Sequence, residues 1–360
     1  MPAEHKLGPG RGQERGDLAI TTPDKYTLQT SGGVGPPVSR SAADDLPRRP
    51  NRKQAQQGMN FQQFATSRFG TSLWIGLARS LPPRAGYALA QAVTGVLSRR
   101  VHSGLYRALY ANQSIVLGPA TPPEVLDCAV HKVLAHAAVS SYDLIHMLGK
   151  GEAALRATVE MGPSTWADIE AARAGGHGVM ACAAHISNFN LGLIAFALHG
   201  LPMQILSPPG KRGGFEIVGR LRSQGMLQDT PVDAQALKAA IRRLHGGGMV
   251  LTGVDWPEIS VEKEVLPFFG REAHLPTGHI RLAISTGARL LPVACRWDSR
   301  RGYYVETAIP LDLELSGDRA QDVRHNARRV LAVLERWIAE KPEQWLMYHP
   351  VWEDIPEAEF

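Results

Sequence analysis

After Gly175 and Gly176 the chain alternates strand-length apolar runs with segments of helical period, and few folds accept that order. The runs are Val179 to Ala184, Met203 to Leu206, Met249 to Val254, Leu290 to Cys295 and Tyr303 to Ile309. Helical segments are expected at Leu191 to Leu198 and Phe215 to Leu221, and a last helix from Ala320 to Glu340 closes the pattern. Strands separated by helices imply an α/β fold: a mainly parallel central sheet with right-handed crossovers, flanked by helices. Ahead of it, Leu105 to Leu148 is helical in period, broken at Gly118 to Pro123, and forms a helical N-terminal layer. The expected organisation is a tail over residues 1–58 and one folded domain over 59–360. Within that domain, 59–150 form the helical layer and 175–352 the α/β core.

Residues 1–58 are rich in Gly, Pro, Ser, Gln and charge and carry only scattered apolar side chains, so they are expected to be disordered. They hold nine basic and six acidic residues, +3 of the total +5, which leaves the rest only mildly basic at +2. No basic stripe with interleaved aromatics is present, so nucleic acid is not an expected partner. Cys128, Cys182 and Cys295 are far apart and show no metal-ligand spacing, which argues against a metal site or a disulfide framework and suits a reducing compartment. The N-terminus lacks the apolar core of a signal peptide.

No uninterrupted apolar run is long enough to span a bilayer. The nearest approach, Leu73 to Leu97, is broken by Arg79, Pro82, Pro83 and Arg84, and reads as two short amphipathic helices around a Pro-Pro turn. Such a pair either lies on a membrane surface or packs on the protein's own core.

Four segments can carry chemistry. His185 ends the first apolar run, at the carboxyl end of a strand, where open α/β sheets place their ligands; the plain alternative is a structural histidine. Ser187 or Asn188 can cap the next helix, whose positive end favours a neutral imidazole. Asn190, five positions on, is near enough to orient the ring. Arg220 and Arg222 lie two residues apart on a helix or its end, where one can grip a phosphate or both can be solvated surface charges. The strand Met249 to Val254 delivers Asp255 to the same sheet edge as His185, as a functional carboxylate or a turn residue. Phe268 and Phe269 before Gly270 suit a hydrophobic channel wall or the core, and Thr277 with Gly278 looks like a helix start.

In this order the segments resemble the lipid A biosynthesis (late) acyltransferase family, within the lysophospholipid acyltransferase-like superfamily, which also includes acyltransferases of mycobacterial phosphatidylinositol mannosides. The family's first block is His, four residues, then an acidic residue; His185, Asn188 and Phe189 match it, and Asn190 stands where the acid is usual. Arg220 and Arg222 fall in a run like one in the family, and Asp255 resembles its acidic residue after a later strand. Pro267 to Gly270 and Pro276 to Gly278 look like its third block, and Pro292 like its fourth. Pro342, Glu343, Gln344, Trp345 and His349 have the spacing of its closing motif, although Pro350 and Val351 replace basic residues usual there. Trp74 to Arg100 resembles its N-terminal helices, so the likeness covers about residues 70–352.

The resemblance implies transfer of a fatty acyl group from an acyl thioester, on acyl-carrier protein or coenzyme A, to a hydroxyl of a lipid or glycolipid. It implies no metal or redox cofactor, and a peripheral protein at the cytoplasmic face of the cell membrane, in lipid A or glycolipid biosynthesis. His185 would be the general base, oriented by Asn190 or with Asp255 supplying the missing charge. Asn188, Arg220, Arg222, Phe268, Phe269 and Thr277 would contact substrate. Two other readings stand beside this one: a lipid-binding homologue without catalysis, and a thioesterase, although no Gly-x-Ser-x-Gly nucleophile turn occurs. On the dyad reading, Asn190→Asp preserves or raises activity.

Overall fold

The computed structural model describes residues 68–208, 227–257 and 262–352, all within one compact unit, Gly58–Phe360. The tail expected over residues 1–58 lies outside the described residues, as do Arg220, Arg222 and the helix expected at Phe215 to Leu221.

The Pro-Pro turn separates α1 (Arg68–Ser80) from α2 (Pro83–Ser98). Pro83 sits at the first helical position, where its missing N–H would have had no intrahelical partner anyway. α3 (Gly104–Leu117) is capped by Ser103, which accepts from the Tyr106 N–H, and α4 (Pro123–Leu148) is the longest helix of this layer. The α1–α2 pair packs on α4. Tyr142 of α4 donates to the Leu81 carbonyl (2.9 Å), Trp74 Nε1 donates to Ser141 (2.9 Å), and a Cβ on Gly86 would come within 2.1 Å of the Tyr142 ring. Of the two readings of this segment, packing on the protein's own core therefore holds for its inner side. Its outer side still exposes Leu73, Leu77 and Val96.

α5 (Glu152–Thr158), β1 (Val159–Met161) and α6 (Pro163–Arg173) lead into the sheet. Then follow β2 (Val179–Ala183), α7 (Phe189–Leu198), β3 (Met203–Ser207), β4 (Leu227–Pro231), α8 (Ala234–His245) and β5 (Met249–Gly253). The chain ends with the hairpin β6 (Lys263–Phe268) and β7 (Arg271–Pro276), α9 (Gly278–Thr286), β8 (Arg289–Asp298), β9 (Gly302–Thr307) and α10 (Arg319–Glu340). The seven-stranded sheet runs β1-β9-β8-β2-β5-β3-β4, parallel throughout except that β8 and β9 pair antiparallel. This is the mainly parallel α/β sheet expected from the sequence.

Alternation along β2 sends Met180 and Cys182 to one face, with α8, α9 and α10, and Val179 and Ala181 to the other, with α7. Both faces are buried, which explains why the strands read as unbroken apolar runs. α7 is buried over almost its whole circumference and accordingly carries no charge. β4 and the β6–β7 hairpin were not foreseen. β4 (LQDTP) is an edge strand with a single buried side chain, and the hairpin alternates polar and buried positions around prolines, so neither forms an apolar run.

Candidate active site

β2 and β5 are neighbours, paired in register from Val179 with Met249 to Ala183 with Gly253, so the segments leaving their carboxyl ends emerge side by side. One delivers His185, the other Asp255. His185 Nδ1 lies 2.7 Å from Asp255 Oδ1, and the His185 backbone N–H donates to Oδ2 at 2.8 Å. Trp345 Nε1–H donates to the same Oδ2 at 2.9 Å. Asp255 is completely buried. Burial alone would raise its carboxyl, but the charge and hydrogen bonds of His185 and the Trp345 indole hold it below the usual carboxylate range. An ionised carboxylate only accepts, so Nδ1 carries the ring proton and Nε2 is left as the acceptor.

The sequence left Asn190 or Asp255 as the partner of His185, and the structure corrects the Asn190 reading in favour of Asp255. Asn190 makes no hydrogen bond to His185, and its amide oxygen is buried without a partner among the described residues. Five residues of separation put Asn190 inside the first turn of α7, while Asp255 arrives from the adjacent strand.

The turn between His185 and α7 is strained. Ser187 has φ +49°, a left-handed conformation that non-glycine residues adopt at a cost of about 1–3 kcal/mol. Tertiary contacts hold it: its N–H donates to the Gln344 carbonyl (2.7 Å) and its hydroxyl meets His136 Nε2 of α4 (2.8 Å). Asn188 also serves the fold rather than a substrate, a second correction. Its amide nitrogen donates to the Ser140 carbonyl (2.7 Å) and its oxygen caps α7 through the Leu191 N–H (3.4 Å).

Burial, with a smaller contribution from Lys341, lowers His136 to about 4, and burial alone lowers His279 to about 3. Below the ordinary histidine pKa the unfolded chain binds protons that these rings refuse, so stability falls as pH drops from about 6.5 towards 4. For His136 the full shift corresponds to about 3 kcal/mol. Denaturant melts between pH 7 and 4.5 should show the decline, and His136→Gln, which can still bond Ser187, should make it shallower.

After α10 a strap over residues 342–352 crosses the same sheet edge. Leu346 N–H donates to the His185 carbonyl (2.7 Å), and Ile186 bridges to Trp345. Asn112 of α3 pins the strap, donating to the carbonyls of Met347 (3.0 Å) and His349 (2.8 Å) and accepting from Val351 N–H (3.1 Å). His349 stacks on Trp256, with ring centroids 4.9 Å apart. Trp256 and Phe189 in turn present edges to the His185 ring, at 6.0 and 5.1 Å.

His185 opens on a cavity of about 450 Å³ between α7 and the sheet. Phe189, Leu193 and Phe196 line one side, strand residues such as Leu251 and Val293 the other, and Leu346 and Met347 of the strap close the rim. Of the two readings of the Phe-Phe pair, channel wall or core, the structure shows the core, which corrects its expected contact with substrate. Phe268 is fully buried, stacked on Trp352 (5.6 Å) and edge-on to Trp345 (6.0 Å), and Phe269 packs against the same aromatics. Together they support the tryptophan that holds Asp255. Thr277 is buried at the start of α9, where its hydroxyl caps nothing and does not reach the cavity lining. Sequence reasoning gave no role to Trp345 beyond its place in the closing motif, and none to Asn112, an isolated polar residue on an otherwise ordinary helix.

The fold and site together are those of an α/β protein with a histidine–carboxylate pair at the carboxyl edge of a mainly parallel sheet, opening on an apolar cavity. The chain belongs to the bacterial lipid A biosynthesis acyltransferase family, whose profile matches residues 55–354. Phosphatidylinositol mannoside acyltransferases from two strains of Mycobacterium tuberculosis are each 38% identical to it over 85 residues, 24% of this chain and 25% of theirs. The chain thus matches about a quarter of the length of those relatives. The crystal structure of the 1-acyl-sn-glycerophosphate (LPA) acyltransferase PlsC from Thermotoga maritima aligns with 73% of this chain and 99% of its own, at 16% identity and a TM-score of 0.33.

Proposed function

We propose that this protein transfers a fatty acyl group from an acyl thioester, on coenzyme A or an acyl-carrier protein, to a hydroxyl of a lipid or glycolipid, with His185 as general base. The observation that carries the reading is the His185–Asp255 pair, with its carboxylate fully buried, on the wall of an apolar cavity. Family membership supports the same chemistry.

The acyl chain lies in the cavity between α7 and the sheet. Each methylene taken from water contributes about 0.8 kcal/mol, so chain burial anchors the thioester beside His185. His185 Nε2 accepts the hydroxyl proton as the oxygen attacks the thioester carbonyl, and Asp255 stabilises the imidazolium that forms. The collapsing intermediate expels the thiol sulfur, which leaves with the proton from His185. This sequence asks for a base, a thioester and an acceptor, and routes no step through a metal or redox cofactor.

The outer side of α1 and α2 suits a peripheral stance on an anionic bilayer, at the cytoplasmic face where acyl thioesters are made. Leu73, Leu77 and Val96 are exposed there, near the exposed Arg79, Arg84 and Arg99, and no helix among the described residues is long and apolar enough to cross a membrane. Leu73→Glu with Leu77→Glu should weaken sedimentation with anionic vesicles about tenfold or more, because burying each leucine is worth about 1.5–3 kcal/mol. Unchanged binding would remove this surface from the proposal.

Radiolabelled acyl thioesters offered with a panel of lipid acceptors test the reaction. The expected result is acylated lipid from the wild type and none from His185→Ala. Release of free fatty acid at the same rate without acceptor would instead define a thioesterase. Lipid binding with no turnover, unchanged by His185→Ala, would define a binding protein.

A further inference from the structure

Two polar groups on residues that line the cavity of His185 have no visible use in the fold. Trp256 Nε1–H and the Ser207 hydroxyl are both buried with no hydrogen-bond partner among the described residues, and both residues line the cavity that His185 lines. A buried donor left unpaired is destabilising, so two on residues lining one cavity call for a cause. Other polar groups on this edge divide: Asp255 takes three hydrogen bonds and Asn112 makes three, whereas Asn190 Oδ1 and Trp352 Nε1 are also buried without a partner among the described residues, but neither residue lines the cavity.

Topology brings the two residues to the sheet edge that carries His185. β2, β5 and β3 are consecutive in the sheet, and their carboxyl ends supply His185, Trp256 and Ser207. The Trp256 ring meets the His185 ring in a T-shaped contact and stacks on His349. Ser207 closes β3, its own carbonyl accepting from Val232 N–H, so its backbone position is fixed while its hydroxyl stays uncommitted. Both are neutral donors in a mostly apolar, partly enclosed space, where a hydrogen bond to a developing negative charge is stronger than in water.

We propose that Trp256 Nε1–H and Ser207 Oγ–H bind the carbonyl oxygen of the acyl thioester as it becomes an oxyanion. The inference rests on the acyl-transfer reading and deepens it. The acceptor oxygen bonds to the carbonyl carbon while its proton passes to His185 Nε2, and the carbonyl π pair moves onto the oxygen held by the two donors. That pair then re-forms the carbonyl, the C–S bond breaks, and the thiolate takes the proton from His185. Ester and thiol leave, and the enzyme is unchanged.

The test is steady-state kinetics of Trp256→Phe, which deletes one N–H and keeps a ring, and of Ser207→Ala, with Ser207→Thr as the variant that keeps a hydroxyl. Donors used only in the transition state are expected to show in kcat and not in KM for the thioester. Each deletion should lower kcat about 10²-fold, with KM unchanged within about threefold and melting temperatures close to wild type. Ser207→Thr should recover most of the loss. A kcat within about threefold of wild type in both deletions, or a rise in KM that accounts for the whole loss, overturns the inference and leaves acyl transfer standing. Acyl adducts on Ser207, seen by mass spectrometry when acceptor is withheld, also overturn it by making the serine a nucleophile. Absence of wild-type turnover with every donor and acceptor overturns acyl transfer itself, and this inference with it.

Discussion

Asp255→Asn is expected to lower the acyl-transfer kcat by about 10⁴-fold, a loss comparable to that from His185→Ala, while Asn190→Ala changes it by less than about threefold. Asp255 is the buried charge that fixes the His185 tautomer, receiving both the ring and the backbone N–H of that residue. An amide in its place keeps the shape but presents either a neutral oxygen, which stabilises imidazolium poorly, or an NH2 group, which forces the ring to put its proton on Nε2 and blinds the base. The loss should fall on kcat, since the substitution leaves the cavity walls intact. Asn190 touches neither ring nitrogen of His185, so removing its amide should leave the base in place. The reverse pattern, with Asn190→Ala inactive and Asp255→Asn active, would return the site to the Asn190 alternative of the sequence reading. Because Asp255 titrates below the usual range, its hold on His185 should persist through mildly acid pH and be lost as pH falls through that lowered value.

The second large effect is on stability. Trp345→Ala should destabilise the fold by about 3–5 kcal/mol, which is a large share of the ~5–15 kcal/mol that holds a typical domain together. Trp345 is 1% exposed, wedged among Phe268, Phe269 and Trp352, and its indole N–H is one of the three donors on Asp255. Truncation opens a cavity under the active site and removes a donor from a buried carboxylate. Trp345→Phe separates the two effects. It keeps most of the packing, so stability should recover to within about 1–2 kcal/mol of wild type, while kcat stays depressed because the carboxylate has lost one of its anchors. Chemical denaturation and kinetics on the same preparations read both. Full activity in Trp345→Phe would show that the two bonds from His185 suffice to hold Asp255.

The architecture was legible because burial on both faces writes itself into composition. Val179–Ala183, Met249–Gly253 and Arg289–Asp298 are central strands, and their apolar runs stand out from the polar segments around them. β4 at the sheet edge and the β6–β7 hairpin bury one face or less, so their polar residues hid them. His185 and Asp255 were legible as residues at the carboxyl ends of such strands. Their pairing was one of two alternatives, because sequence spacing puts Asn190 nearer to His185 than a residue 70 positions away and strand order is needed to choose between them.

What the sequence by itself determined is the central strands of the sheet and the edge of it at which His185 and Asp255 emerge. Local hydrophobic pattern fixes these, since it depends only on which side chains must leave water. The tertiary structure alone decided between Asn190 and Asp255 as the partner of His185, between channel wall and core for Phe268 and Phe269, and it alone revealed the strap that brings Trp345 onto Asp255 and the cavity under α7. Each depends on strand order: placing β5 beside β2 converts a long separation in sequence into a 2.7 Å contact between ring and carboxylate. Strand order is set by how whole layers pack, and no local window of residues carries that information.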